Sequence, residues 1–277
     1  MAERDAAHGR HAWLLAAVLL PAALAASGSR AGDAQDTAAL YQETVITTGS
    51  DLRYRADGFS RAFRIVLVKV SGESRLDHDP RVDRLAKEAG LFVASFGYVD
   101  QMAGIKHKDD QGTYDRPFNL TVHFVPAMID RALTGLGAHP WRGTRPVVVP
   151  VLAVRGVSAA YLLTEDGPAG ADQRAALVAA ADDFALSVRF PTDGEMAAWH
   201  VALGSFPSPP AAPAPDRVVV SGTLEFQEVI PGWVGAWRMR WHGVDYTWGI
   251  RGVNFDGAFR NLIRGVARAA SGHGAPE

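Results

Sequence analysis

Apolar positions along the chain repeat at two spacings, close to four residues and at two, and the switch between them lays out helices and strands in turn. A β-branched run at Tyr41 to Thr47 reads as a first strand. Phe59, Phe63, Val66, Leu67 and Val70 then form one continuous helical face, which Ser71-Gly72 stops. Asp79-Pro80 announces a second helix, with an acceptor side chain at the cap and a proline where the missing N–H is not needed. Its inner face runs through Val82, Leu85, Ala86, Ala89, Phe92, Val93 and Phe96. Strands are predicted at Tyr98 to Lys106 and Pro117 to Phe124, around a polar turn at Asp109-Asp110-Gln111-Gly112. Pro126 opens a third helix carrying Ile129, Leu133 and Leu136. The stretch 40–144 therefore reads as a β-α-α-β-β-α module.

Val147 to Val154 is almost uninterruptedly apolar, as in a strand buried on both faces. The pattern next predicts a helix over Ala171 to Asp183, a short strand at Leu186 to Phe190 and a helix over Asp193 to Leu203. Prolines at 207, 209, 210, 213 and 215 make 206–215 an extended surface loop. Val218 to Phe226, Val234 to Trp241 and Val244 to Ile250 form a meander, closed by a helix over 256–270 with Phe259, Leu262, Ile263 and Val266 inward. This second module, 145–270, reads β-α-β-α-β-β-β-α. The fold class is α+β, with two closely packed modules and mixed or antiparallel sheets. Residues 27–39 and 271–277 read as a disordered lead-in and tail.

Composition changes this picture in two places. Residues 1–26 have the layout of a secretory signal peptide: Arg4 and Arg10 at the cationic start, an apolar stretch from Ala12 to Ala23, and small residues that put cleavage at Ala25 or Ala26. The stretch is short for a membrane span, so the expected product is a soluble periplasmic protein without a stable span; retention as an inner-membrane anchor is the alternative. The chain also has no cysteine. Thiol nucleophiles, thiolate zinc sites, iron-sulfur clusters and disulfides are thereby excluded. A net charge of −2 gives no basis for nucleic-acid binding, and no cofactor is implied.

Candidate chemistry is sparse. Gly58-Phe59-Ser60-Arg61-Ala62 approaches a nucleophile elbow but falls inside a helix and ends in alanine. Asp77 and His78, with Glu73 nearby, are weak metal or acid-base candidates, because adjacent residues on an extended segment point apart and Asp79 already serves as a cap. The more informative constellation is on the meander. Alternation puts Trp237, Met239 and Trp241 on one face of a strand and Arg238 and Arg240 on the other. The tryptophans fit a core beneath the closing helix. The arginines, with Arg251 and with Trp233 at the strand entrance, form a candidate binding surface for an acidic ligand or protein, or else a plain solvated face.

In combination, Val66 to Gly72, Asp79-Pro80-Arg81-Val82, Phe124-Val125-Pro126, Trp141-Arg142, Arg145 to Val149, Gly232-Trp233 and Ala236-Trp237 resemble domain-of-unknown-function family 2066 over about 40–268. That resemblance implies an exported protein of a Gram-negative bacterium and brings no catalytic residues. The β-α-α-β-β order is also similar to that of periplasmic domains that escort outer-membrane proteins by strand addition. The expected function is non-enzymatic binding or envelope assembly, through a sheet edge or through the arginine face. The alternative is an enzyme acting on envelope or cell-wall material, with a site between the modules that uses Asp77, His78 or Glu73.

Overall fold

The computed structural model describes residues 38–104, 116–208, 214–229 and 231–277. The signal-peptide reading, with Ala25 and Ala26, and the polar turn at 109–112 lie outside the described residues. Strand β1 (Gln42–Thr47) leads into helix α1 (Leu52–Ser71). Helix α1 ends as the sequence indicates: Gly72 takes φ +76° and its N–H bonds back to Val68 O, a left-handed stop that glycine adopts without steric cost.

After a 3-10 turn at Ser74–His78, α2 (Pro80–Ala86) starts where Asp79 accepts the Arg81 N–H at 2.8 Å. It does not run on to Phe96. A second 3-10 turn at Ala89–Phe92 intervenes, and the chain continues as strand β2 (Val93–Asp100). Residues four apart, such as Phe92 and Phe96, lie on one side of a helix and equally on one side of a strand, so their spacing did not separate the two readings. Pairing with β3 (Phe118–Phe124), together with the low helix propensity of Gly90, decides for the strand. Phe92 packs on Phe63 at 4.7 Å between ring centroids and Phe96 on Phe59 at 5.2 Å. The first sheet has the order β1-β3-β2, all antiparallel, and α3 (Pro126–Gly135) follows it.

The second sheet is β5-β4-β6-β7-β8, built from β4 (Val147–Arg155), β5 (Ala160–Leu162), β6 (Arg217–Gln227), β7 (Gly232–Trp241) and β8 (Val244–Val253). Strands β4 and β6 are parallel and the other pairs antiparallel. Helices α4 (Ala171–Asp182), α5 (Asp193–Ala198) and α6 (Phe255–Ala270) complete the chain. The strand expected at Leu186 to Phe190 is reduced to one parallel bridge, Val148 to Val188, cut short by Pro191. The hairpin strand β5 was not anticipated. The helix expected to reach Leu203 stops at Ala198. Interior positions of β4 are buried along its length. Pro150 sits among them, on the side where Val148 bonds the 187–189 segment and Leu152 bonds Leu163. Its missing N–H therefore falls in the gap between that segment and β5, and no ladder bond is lost.

One core runs through both sheets: Phe63, Leu67 and Leu120 belong to the same buried cluster as Leu152, Trp237 and Phe259. Arg145 stitches the two halves from within, bonding Lys69 O at 2.9 Å and Phe184 O at 2.8 Å over the Trp141 ring. Burial pushes its pKa down to about 10. Trp237 is fully buried beneath α6, where its indole N–H donates to Asn261 Oδ1 at 3.1 Å. A Cβ on Gly235 would lie 2.2 Å from that indole, so only glycine leaves room for the ring. A smaller cluster of Val149, Val151, Met196, Val201 and Val219 covers part of the opposite face under α5. The segment 271–277, expected as a disordered tail, instead folds back on α6: Arg268 Nε donates to Ala275 O at 2.8 Å and Asn261 Nδ2 to Glu277 O at 3.1 Å.

Candidate functional site

The two edges of the first sheet differ in a way that bears on binding. In β1 the odd-numbered residues face β3, as the bond from Phe124 N–H to Tyr41 O shows, so Gln42, Thr44 and Ile46 point their backbone groups outward. Three of these six groups are taken by side chains. Lys69 Nζ donates to Gln42 O at 3.1 Å, Arg61 to Ile46 O at 2.6 Å, and the Thr44 N–H goes to the Glu43 carboxylate at 3.0 Å. Tyr41, just before the strand, is buried as well; its hydroxyl donates to Asp130 Oδ1 at 2.7 Å, and burial followed by that bond pushes its pKa up to about 12.

On the other edge, Ser95, Gly97 and Val99 pair with β3, which turns the N–H and C=O groups of Phe96 and Tyr98 outward. Among the described residues nothing bonds them. The edge is apolar and accessible: Phe96 is 41% exposed and Val99 63%. From Val93 to Val99 it carries no charge and no proline, the devices by which natural edges are commonly protected. Arg55 lies over the Phe96 ring at 4.7 Å, and Asp100 is held by Arg116 at 3.3 Å. The sequence pattern hid this edge because Val93 and Phe96 continued a helical face.

The metal and acid-base candidates do not converge. Glu73 is buried and takes two bonds from Arg268 Nη1, at 2.8 and 2.9 Å, and two from Arg75, from its guanidinium at 2.8 Å and its backbone N–H at 3.0 Å. Burial alone would raise its pKa, but the bonds from Arg75 and the charge of Arg268 outweigh it and hold the carboxyl below its ordinary range. Asp77 pairs with Arg264 at 3.1 Å, and His78 stands exposed on the same turn. Glu73 and Asp77 thus serve as two separate anchors for α6. No group of three histidine or acidic side chains suited to a metal occurs among the described residues.

A Ser271–His273 contact near Glu73 has the outline of a nucleophile and base, with 2.8 Å between Oγ and Nδ1. The polarity is wrong for activation. His273 Nε2 accepts the His139 N–H at 3.4 Å, so the neutral ring carries its proton on Nδ1 and donates to Ser271. Burial, and then the nearby His139, push the His273 pKa down. Ser271 Oγ in turn donates to Arg268 O at 3.2 Å.

On the second sheet Arg238 and Arg240 do project from the face opposite Trp237 and Met239. Arg238 is stacked on Phe206 at 4.1 Å, and Arg240 lies 3.8 Å from Asp245 on β8. Arg251, exposed, is paired across from Val234, further along the same face. Trp233 is half-buried and meets Phe226 and Phe255 edge-on at 5.6 and 6.3 Å. The four residues thus divide between a packed aromatic corner and arginines that already have neighbours at two of three positions.

Comparison with known families bears on the first sheet. Residues 34–142 match the model of a domain of unknown function, DUF8605. This corrects the resemblance to family 2066, which the sequence motifs suggested over about 40–268: the matching model is a different one, and it ends before β4. The shared motifs were short apolar and glycine or proline junctions, which unrelated α+β chains reach for the same physical reasons. No curated protein and no solved structure matches the chain. The whole first sheet, including the open β2 edge, lies inside the DUF8605 match.

Proposed function

We propose that this is a non-catalytic binding protein of the cell envelope that accepts an extended segment of a partner protein as an added strand along β2. The observation that carries the reading is the contrast between the edges: on β1 the Gln42 and Ile46 carbonyls and the Thr44 N–H are taken by Lys69, Arg61 and Glu43, while among the described residues none of the outward groups of Phe96 and Tyr98 has a partner. An added strand gains main-chain hydrogen bonds there, and its side chains meet the exposed Phe96 on one face of the sheet and Val99 on the other. A partner segment that is uncharged and apolar on both faces fits that edge. Export rests on the three-part layout of residues 1–26. Consistent with a protein released after export, no helix among the described residues is long and apolar enough to cross a membrane.

The test is selection of binding peptides from a displayed library, followed by residue-resolved amide exchange in the complex. Protection gained at Phe96 and Tyr98, and loss of binding in Val99→Lys with Ile46→Lys unaffected, is the expected result. Selected peptides that protect residues elsewhere, or that bind Val99→Lys as tightly as the parent, would overturn the assignment.

A further inference from the structure

Beyond the β2 edge, α2, the Ala89–Phe92 turn and α3 enclose a groove of about 480 Å³, within the size range of small-molecule sites. Its floor is apolar, with Leu85, Phe92 and Met128 half-buried along it. Its rim is cationic, formed by Arg81, Arg84 and Arg131, and no acidic side chain lines it.

The three arginines are not equivalent. Arg81 is committed, holding Asp79 at 2.6 Å and Leu136 O at 2.8 Å. Arg84 and Arg131 are exposed and have no hydrogen bond or ion pair among the described residues. The neighbouring carboxylates are already taken: Asp79, which feels the charge of Arg84, by Arg81, Asp83 by Arg64, and Asp130 by Tyr41 and Arg142. Glu88, the next acidic residue along, makes no ion pair with either. A long apolar floor with two uncommitted guanidinium groups at its mouth has the complementary form of a molecule with an apolar body and one anionic end.

We infer that this groove binds a single-chain carboxylate amphiphile, with the hydrocarbon chain along Leu85, Phe92 and Met128 and the carboxylate held by Arg84 and Arg131. One chain is what the volume accommodates beside the head. The site is separate from the β2 edge: Phe92 lines the groove from the turn before β2, on the side facing α3, while the open backbone groups belong to Phe96 and Tyr98.

The experiment is isothermal titration of the full chain with sodium laurate below its micellar concentration, alongside lauryl alcohol, acetate and dodecyl phosphate. Saturable binding of laurate near one equivalent is expected, with acetate and lauryl alcohol each weaker by about tenfold or more. Arg84→Gln and Arg131→Gln should each weaken laurate by about tenfold without altering the melting temperature, since both side chains are exposed. Met128→Gln should weaken it while leaving the response to ionic strength unchanged. Lauryl alcohol binding as tightly as laurate would remove the anionic end from the proposal, acetate binding as tightly would remove the groove floor, and dodecyl phosphate binding markedly more tightly would replace the carboxylate. Laurate affinity unchanged in the two arginine variants would overturn the site. None of these results depends on whether β2 takes a peptide.

Discussion

Glu73 and Arg268 meet by two hydrogen bonds of 2.8 and 2.9 Å although 195 positions separate them in the sequence. The carboxylate is 2% exposed and the arginine 8%. Removing Arg268 takes two hydrogen bonds from a buried carboxylate and leaves Arg75 as its remaining charged partner. Arg268→Ala is therefore expected to lower the unfolding free energy by about 3 kcal/mol. Urea denaturation at neutral pH measures this, and the double variant with Glu73→Ala should lose less than the two single losses added.

The same carboxyl makes stability depend on pH. Its folded-state pKa lies below the ordinary glutamate value, with Arg75 and Arg268 overcoming the opposing effect of burial. A depressed acid pKa contributes stability that is fully present above the unfolded value and is lost as pH falls through the folded one. Stability should hold from neutrality down to the ordinary carboxylate range and decline below it. In Glu73→Gln that part of the acid slope should disappear, as denaturant midpoints across an acid series will register.

Amide exchange in the isolated protein should alternate along β2. Ser95, Gly97 and Val99 point their N–H groups into the ladder with β3 and exchange slowly, whereas Phe96 and Tyr98 point outward and exchange fast. Equal protection at all five positions would show that some other part of the chain covers the edge.

Gly235→Ala places a methyl group 2.2 Å from the Trp237 indole. Neither β7 nor the ring, pinned by Asn261 and lying beneath α6, has an easy way to retreat. Overpacking of this kind costs about 3 kcal/mol, which a thermal melt will show as a drop of several degrees. An unchanged melting temperature would mean that the ring has room to move.

The native N-terminus is expected to begin just after Ala25 or Ala26. Intact-mass spectrometry of protein purified from its own envelope fraction checks this. A mass retaining Trp13 to Leu24 would establish the anchored form.

Where one periodicity dominated, the sequence was legible. The α1 face from Phe59 to Val70, the meander and the closing helix all lie within a few residues of expectation, because in each a single apolar stripe is buried. It failed where burial satisfied both periods, as at Phe92 and Phe96, and where a strand owed its existence to a partner, as with β5 beside β4. The alternation of Trp237 and Arg238 could be read directly. That Arg238 would stack on Phe206 depends on how a proline-rich loop returns to the sheet, which no local spacing encodes. The open edge was hidden for the simplest reason: Val93 to Phe96 continue a helical face, and the strand pattern starts only at Tyr98. The groove at Arg84 and Arg131 depends on two helices far apart in sequence, brought together where Arg81 bonds Leu136 O.

Pro150 carries a meaning outside the native state. The run Val147 to Val154 is almost wholly apolar, and its parallel neighbour β6 begins only at Arg217, so a newly made chain exposes it until the later segment arrives. An unbroken stretch of that kind is a template for stacking with copies of itself. A proline at its centre denies such stacks a continuous ladder, at a position on β4 that falls in the gap between the bonds of Val148 and Leu152. The residue that looks most out of place in β4 thus disfavours stacking of the unfolded chain at no cost in ladder bonds to the folded one.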